Sequence, residues 1–501
     1  MACYLEIFSA LVTVLFVFYY YLTSNFSFWK DRGVPGPKPI PGFGNIKDVM
    51  LMREALFDLL TRLYKEHRNE PLVGIFMRRR PAVIVNDLEL VKDVLIKDFP
   101  TFATRLEARH EKIDVFSPNL FNLEPKRWRP LRTRISPVFT SSRIKDMFPL
   151  ILECSVTLEK YLENATAKGE PVECREIAAK FTTDTIGSCA FGINMNAISD
   201  EESEFRKMGI EIFATTPWKL FKIFIRDTMP WLYDILGGVI KVSTSDKFFT
   251  DVIADTIKYR KENNIVRPDF VNLLMELKNE PEKLQDIELT DTLVAAQAFI
   301  FFAAGFETSS TTMAHCLYEM ALNPDMQNKV REEIKTFTEK HNGSYPYESV
   351  NEMKYLDKVF KETLRKYPPG TFVFRRSTKE YTFNGTKVSI PKKTTVFIPV
   401  YAIHHDPKIY PNPEIFDPER FTEDAIAARH SMAYLPFGDG PRNCIGARFA
   451  VYQTKAGLIT MLKNYKYEIC EKTMKSYVHD PTAFVLGPKS GIYLKISKVE
   501  N

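Results

Sequence analysis

The junction between Phe437-Gly-Asp-Gly-Pro-Arg-Asn-Cys-Ile-Gly446 and Ala447-Arg-Phe-Ala-Val-Tyr-Gln-Thr-Lys-Ala-Gly-Leu-Ile-Thr-Met-Leu constrains this chain more than any other stretch. Three glycines and a proline in the first ten residues argue for turns, whereas the next sixteen have no proline and read as a helix. Cys444 therefore stands near a helix start. Exposed amides and the positive end of a helix favour thiolate over thiol there, and the glycines let backbone approach both the sulfur and a flat cofactor. Charge-assisted amide bonds would each stabilise the thiolate by roughly 1.5–3 kcal/mol. A lone cysteine is more often a buried small hydrophobe, so the surrounding residues have to decide between the two readings.

They do so as a pattern. Phe437, Gly440, Arg442, Cys444 and Gly446 fill F-x-x-G-x-R-x-C-x-G, with Gly438 as a frequent extra glycine, and on these residues the chain resembles the cytochrome P-450 family. The resemblance implies that Cys444 is the proximal ligand of the iron of haem b (iron protoporphyrin IX). It further implies that Arg442 pairs with a haem propionate, and that Phe437 and Gly446 belong to the cofactor's surround. The implied fold is mainly α with small β-sheets, one near the amino-terminal third and one near the carboxyl end, wrapped as a single haem domain.

Other segments carry the same resemblance in the family's order. Asp291 to Leu322 lacks proline and reads as one long helix, opening near Thr290 and stopping before Asn323-Pro324. Its middle is Ala304-Gly305-Phe306-Glu307-Thr308, where small residues allow a flat group to lie against the helix and Gly305 would loosen a turn. An acid beside a hydroxyl in a helix is usually a solvated face. The resemblance instead implies that Thr308 holds dioxygen and its waters and that Glu307 passes protons. Glu362 and Arg365 share one face of a helix that Pro368-Pro369 ends. The family's E-x-x-R motif implies that they form a structural brace under the cysteine loop, joined by Arg420 of Pro418-Glu-Arg-Phe421. Trp128 and Arg132 match W-x-x-x-R, implying an indole donor and a guanidinium for the propionates. Arg375 is a further candidate partner, with Arg376 beside it as an alternative and Arg105 behind both.

Cys3 to Leu22 has about twenty residues with only Glu6 charged, long enough as a helix to span roughly 30 Å of hydrocarbon. Tyr19 to Tyr21 and then Trp29 suit a membrane interface, and Lys30 and Arg32 favour the cytosolic side. No basic leader or small-residue cleavage site marks a removable signal. The expected organisation is a membrane anchor over 1–29, a stiff Pro/Gly hinge over 30–45, and the haem-thiolate domain over 46–501. A net charge of +5, from 68 Lys and Arg against 63 Asp and Glu, gives no reason to expect nucleic-acid binding. Seven scattered cysteines form no dense framework and fit a reducing compartment.

The segments that family analogy places around the substrate are apolar and aromatic, and Phe116, Phe121, Phe302, Ala304, Phe372 and Phe484 represent them. Core packing has the same composition. The chain resembles microsomal members, most closely insect ones that oxidise plant toxins and insecticides. That implies an endoplasmic-reticulum enzyme with its catalytic domain in the cytosol. It would insert one atom of O2 into lipophilic molecules, taking NADPH electrons from NADPH-cytochrome P-450 reductase, with cytochrome b5 as a further partner. No G-x-G-x-x-G strand-helix unit offers a nicotinamide site of its own. Lys358, Lys361, Arg429 and Arg448 are candidates for a docking patch. The alternatives are the same chemistry on an endogenous hormone or lipid, and a haem-thiolate protein that isomerises or sequesters ligands; the presence of Glu307 and Thr308 speaks against the last.

Overall fold

The computed structural model describes residues 2–105, 110–237, 244–284 and 287–499. It is helix-rich with small sheets, and its contacts divide it into two units.

The first unit comprises Met1–Arg105, Gly370–Pro411 and His430–Asn443. It opens with helix α1 (Ala2–Thr23), which is exposed along its apolar length. Twenty-two residues at about 1.5 Å each reach some 33 Å, enough for one membrane crossing. The base of α1 is fixed to the body: the Arg79 guanidinium lies 3.4 Å from the Tyr21 ring centre, and Asn25 donates to the Arg79 carbonyl at 3.2 Å. Trp29 departs from expectation. It is 3% exposed, its indole donates to the Ile75 carbonyl at 2.9 Å, and a Cβ on Gly74 would lie 2.3 Å from its ring. Trp29 is therefore a core residue and not an interface anchor, because only a glycine at 74 makes room for the indole against the strand. The prolines that follow keep the chain extended, and Pro35 accepts from the Gly74 amide at 2.8 Å.

The sheet of this unit runs Leu72–Met77, Arg80–Val85, Thr395–Ile398, Val373–Arg376, with the middle pair parallel and the outer pairs antiparallel. The first two strands are Val- and Ile-rich and buried on both faces, as a covered sheet requires. Val73, Ile75, Ala82 and Ile84 pack with Leu59, Leu60 and Leu63 of helix α2 (Leu56–Glu66), while Leu72, Phe76, Val83 and Val85 pack with Val91, Leu95, Val396 and Ile398. The sheet near the amino terminus thus takes half its strands from beyond residue 370.

The second unit holds the remaining helices used below: α3 (Pro125–Ile135), α4 (Ser141–Lys168), α5 (Cys174–Ile186), α6 (Asp291–Leu322), α7 (Lys354–Lys366) and α8 (Ala447–Lys463). Helix α6 has the bounds expected of it, with the Thr290 hydroxyl capping the Leu293 amide at 3.2 Å. It is apolar and long enough to cross a membrane, yet most of it is enclosed by protein, which marks it as a core helix. Helices α5, α7 and α8 pack against it. The carboxyl-terminal sheet pairs Tyr465–Glu468 and the short Val172–Glu173 on either side of Tyr493–Lys498, all antiparallel.

Candidate active site

Cys444 lies three residues ahead of α8, with Gly446 as the residue preceding the helix. Among the described cysteines it is the exposed one. Cys154, Cys174, Cys189 and Cys316 are buried, and burial pushes their thiols up, Cys154 to about 11 and Cys316 to about 12. Arg132 on α3 is close enough to Cys444 for a thiolate there to support its charge, although burial, the larger effect, pulls its pKa down. Trp128, one turn earlier, is buried. A Cβ on Gly446 would meet the Phe139 ring at 3.9 Å, an ordinary van der Waals contact.

The residues leading up to Cys444 belong to the first unit. Gly440 has a φ of +73°, and a Cβ there would lie 1.9 Å from the Leu95 carbonyl oxygen, so both backbone and packing demand glycine. Arg442 and Arg375 are each 1% exposed. Burial, and then the charge of Arg442, pushes Arg375 down to about 9. The two buried guanidinium groups are within electrostatic reach of each other, and Arg375 donates to the Phe374 carbonyl at 2.9 Å. Arg105, the third propionate candidate of the sequence, donates to the Arg442 carbonyl at 2.6 Å. Phe437 is half-buried in the same loop.

The brace is fully formed within the second unit. Glu362 and Arg365 on α7 are 0% exposed and meet through two parallel bonds of 2.8 Å. The Glu362 carboxylate also accepts from the Asp417 amide at 2.9 Å and has the Arg420 Nε at 3.5 Å. Arg420 in turn donates to the Asn412 carbonyl at 3.0 Å. This is the buried alternative of the two that the sequence permits.

In α6 the expected acid and hydroxyl are present but do not bond to each other. The Thr308 hydroxyl donates to the Ala304 carbonyl at 2.8 Å, whereas the buried Glu307 carboxylate is held by Arg175 of α5. Arg175 was not legible as a site residue, because Cys174-Arg175-Glu176 reads as an ordinary charged helix start. The loosened turn expected at Gly305 is absent: α6 is continuous, and a Cβ on Gly305 would sit 2.7 Å from Ile186, so the glycine serves close helix packing. Ala304 is the exposed residue in this stretch of the helix.

A family model for cytochrome P450 matches residues 34–495. The chain belongs to the cytochrome P450 family. It is 40% identical over 95% of its length to probable cytochrome P450 6a14 of Drosophila melanogaster, covering 96% of that protein. It is 39% identical to cytochrome P450 6k1 of Blattella germanica, over 97% of this chain and 96% of the other. It is 38% identical to cytochrome P450 6B1 of Papilio polyxenes, over 97% and 98%. A cytochrome P450 is a monooxygenase whose haem iron takes a cysteine thiolate and works on O2. The residues present fit that group: an exposed sulfur just ahead of a helix, with the Arg132 guanidinium in electrostatic reach of it, as a thiolate ligand requires.

The apolar candidates separate. Phe116 stacks on Phe299 at 4.3 Å, and Phe302 is fully buried against Phe249 and Phe306, which makes Phe302 a packing residue. Phe372 packs on Phe397 in the first unit, while Phe121 is 41% and Phe484 79% exposed. Of the basic candidates, Lys358 pairs with Glu419 and Lys361 with Asp357, each at 2.7 Å, and Arg429 donates to the Arg420 carbonyl. Arg448 is exposed. Any docking patch in this P450 is thus partly neutralised by its own carboxylates.

Proposed function

We propose that this P450 is a membrane-anchored, NADPH-dependent monooxygenase of lipophilic foreign compounds such as plant toxins and insecticides, with Cys444 as the iron ligand. The observation that carries the reading is the exposed Cys444 ahead of α8, in a chain whose other described cysteines are buried or half-buried. When bound, the haem supplies oxygen activation and the one-electron chemistry that side chains lack. Arg442 and Arg375 would take the propionates with their guanidinium forks, and Trp128 and Arg132 would add donors. Phe437 and Gly446 would bound the haem. The Glu362, Arg365 and Arg420 cluster holds the Asp417 amide and Asn412 carbonyl in place, and it would serve as the structural brace of the haem site.

Thr308 would orient waters with its hydroxyl, and Glu307 would supply protons after leaving Arg175, whose side chain is 35% exposed. Helix α1 fits a single-pass anchor; the body would lie on the cytosolic face of the endoplasmic reticulum, and residues 30–45 would be the hinge to the haem domain over 46–501. Electrons would come from NADPH-cytochrome P-450 reductase, assisted by cytochrome b5.

The reduced protein under carbon monoxide is expected to show the strongly red-shifted band of a thiolate-ligated haem; a histidine-type band would end the assignment. Thr308→Ala is expected to hold haem normally but to divert NADPH electrons into reducing O2 to hydrogen peroxide, with product per NADPH falling roughly a hundredfold, the lower end of the range for a lost proton-transfer group. Unchanged coupling would sink the relay. Turnover of a panel of plant compounds against hormones and lipids tests the substrate class, and exclusive turnover of an endogenous compound would replace it.

A further inference from the structure

The turn Ala304–Thr308 of α6 is gripped from two other helices. Gln453 of α8 is fully buried and donates Nε2 to the Gly305 carbonyl at 3.1 Å. Thr182 of α5 donates to the next carbonyl, Phe306, at 3.0 Å, and the Thr308 hydroxyl takes the preceding one, Ala304, at 2.8 Å. Three successive carbonyls of one turn therefore carry a side-chain donor. A helix carbonyl with an added donor tilts off the ladder and its own bond lengthens, so its placement comes to depend on the neighbour that supplies the donor. Gly305 has no freedom to answer by moving toward α5, where Ile186 already fills the space of a Cβ.

Gln453 is also an expensive residue for its location. Its Oε1 is buried without a hydrogen-bond partner, a desolvation cost that an apolar side chain of the same length would not incur. Among the described residues, its Nε2 bond to Gly305 is the hydrogen bond that offsets that cost. Gln453 lies in the second turn of α8, nine residues after Cys444, so one amide links the helix that follows the cysteine to the turn that carries Thr308.

We propose that Gln453 is a positioning residue for oxygen activation: its amide clamps the Gly305 carbonyl and so sets the stance of the Thr308 hydroxyl one turn further on. This rests on the reading of Thr308 as the group that orders protons and water. Gln453→Met keeps length and burial and deletes the donor. In the full-length holoenzyme it is expected to leave the reduced carbon-monoxide band in place. Amide exchange in peptides covering 304–312 should rise about tenfold, the factor for one net hydrogen bond, with other peptides unchanged. Product formed per NADPH should fall severalfold, with hydrogen peroxide making up the difference. Wild-type exchange in 304–312 overturns the clamp, and so does faster exchange throughout the protein or a failure to fold, either of which assigns Gln453 to general stability. A fully coupled Thr308→Ala would defeat the relay reading while leaving the exchange signature standing. A coupled Gln453→Met beside an uncoupled Thr308→Ala would defeat the clamp alone.

Discussion

Cys444→Ala is expected to abolish the red-shifted band of the reduced carbon-monoxide complex and all O2-dependent turnover, while the chain still folds. The effect is total because no other described cysteine is in a position to substitute. Four cysteines are sealed in the core with their thiols pushed up by burial, and half-buried Cys470 is engaged by Thr473 and the Tyr493 carbonyl. A thiolate ligand needs access and nearby positive charge, and Arg132 supplies some of that charge at Cys444. Folding should survive, since Cys444 is exposed and its removal opens no core cavity. Cys470→Ser serves as the control and should keep the band. Persistence of the band in Cys444→Ala would transfer the ligand role elsewhere and overturn the site.

Arg365→Ala is expected to lower stability by about 3–5 kcal/mol, because it strands the buried Glu362 carboxylate. Total stability of a domain is about 5–15 kcal/mol, so the variant should purify in low yield and largely without haem. Glu362 would keep the Asp417 amide at 2.9 Å and the more distant Arg420 at 3.5 Å, neither of which replaces two bonds of 2.8 Å. Glu362→Gln should weaken the cluster in the same direction by neutralising the acceptor. Arg62→Ala removes the half-exposed pair with Glu54 and should cost no more than about 1 kcal/mol. Urea unfolding and the haem-to-protein ratio read both effects. Normal haem content in Arg365→Ala would show that the cluster is not the structural brace of the haem site.

What could be read along the chain was local. The bounds of α6, its Thr290 cap, the end of α7 before Pro368-Pro369 and the turn into α8 all follow from neighbouring residues, since capping, proline and apolar spacing act within a few positions. Trp29 was misplaced because an aromatic after an apolar helix looks the same whether lipid or protein receives it, and the receiving space is made by Gly74, 45 residues away. Phe302 illustrates the same ambiguity within a helix: its apolar character was plain, but whether it faces a cavity or Phe249 depends on a partner more than 50 residues distant.

The sequence alone determined the chemistry on offer: a cysteine ahead of a helix, an acid beside a hydroxyl, an acid and a base on one helix face, and a crossing-length apolar start. Each is a short-range pattern whose meaning is carried by spacing. Tertiary structure decided which of these groups meet. It made Glu362 and Arg365 a buried pair rather than a surface one, gave Glu307 to Arg175 instead of Thr308, and brought Gln453 to the Gly305 carbonyl. Those outcomes depend on burial and on contacts across more than a hundred residues. Burial turns a solvated charge or amide into one whose partner matters by several kcal/mol, and no local pattern in the chain encodes it.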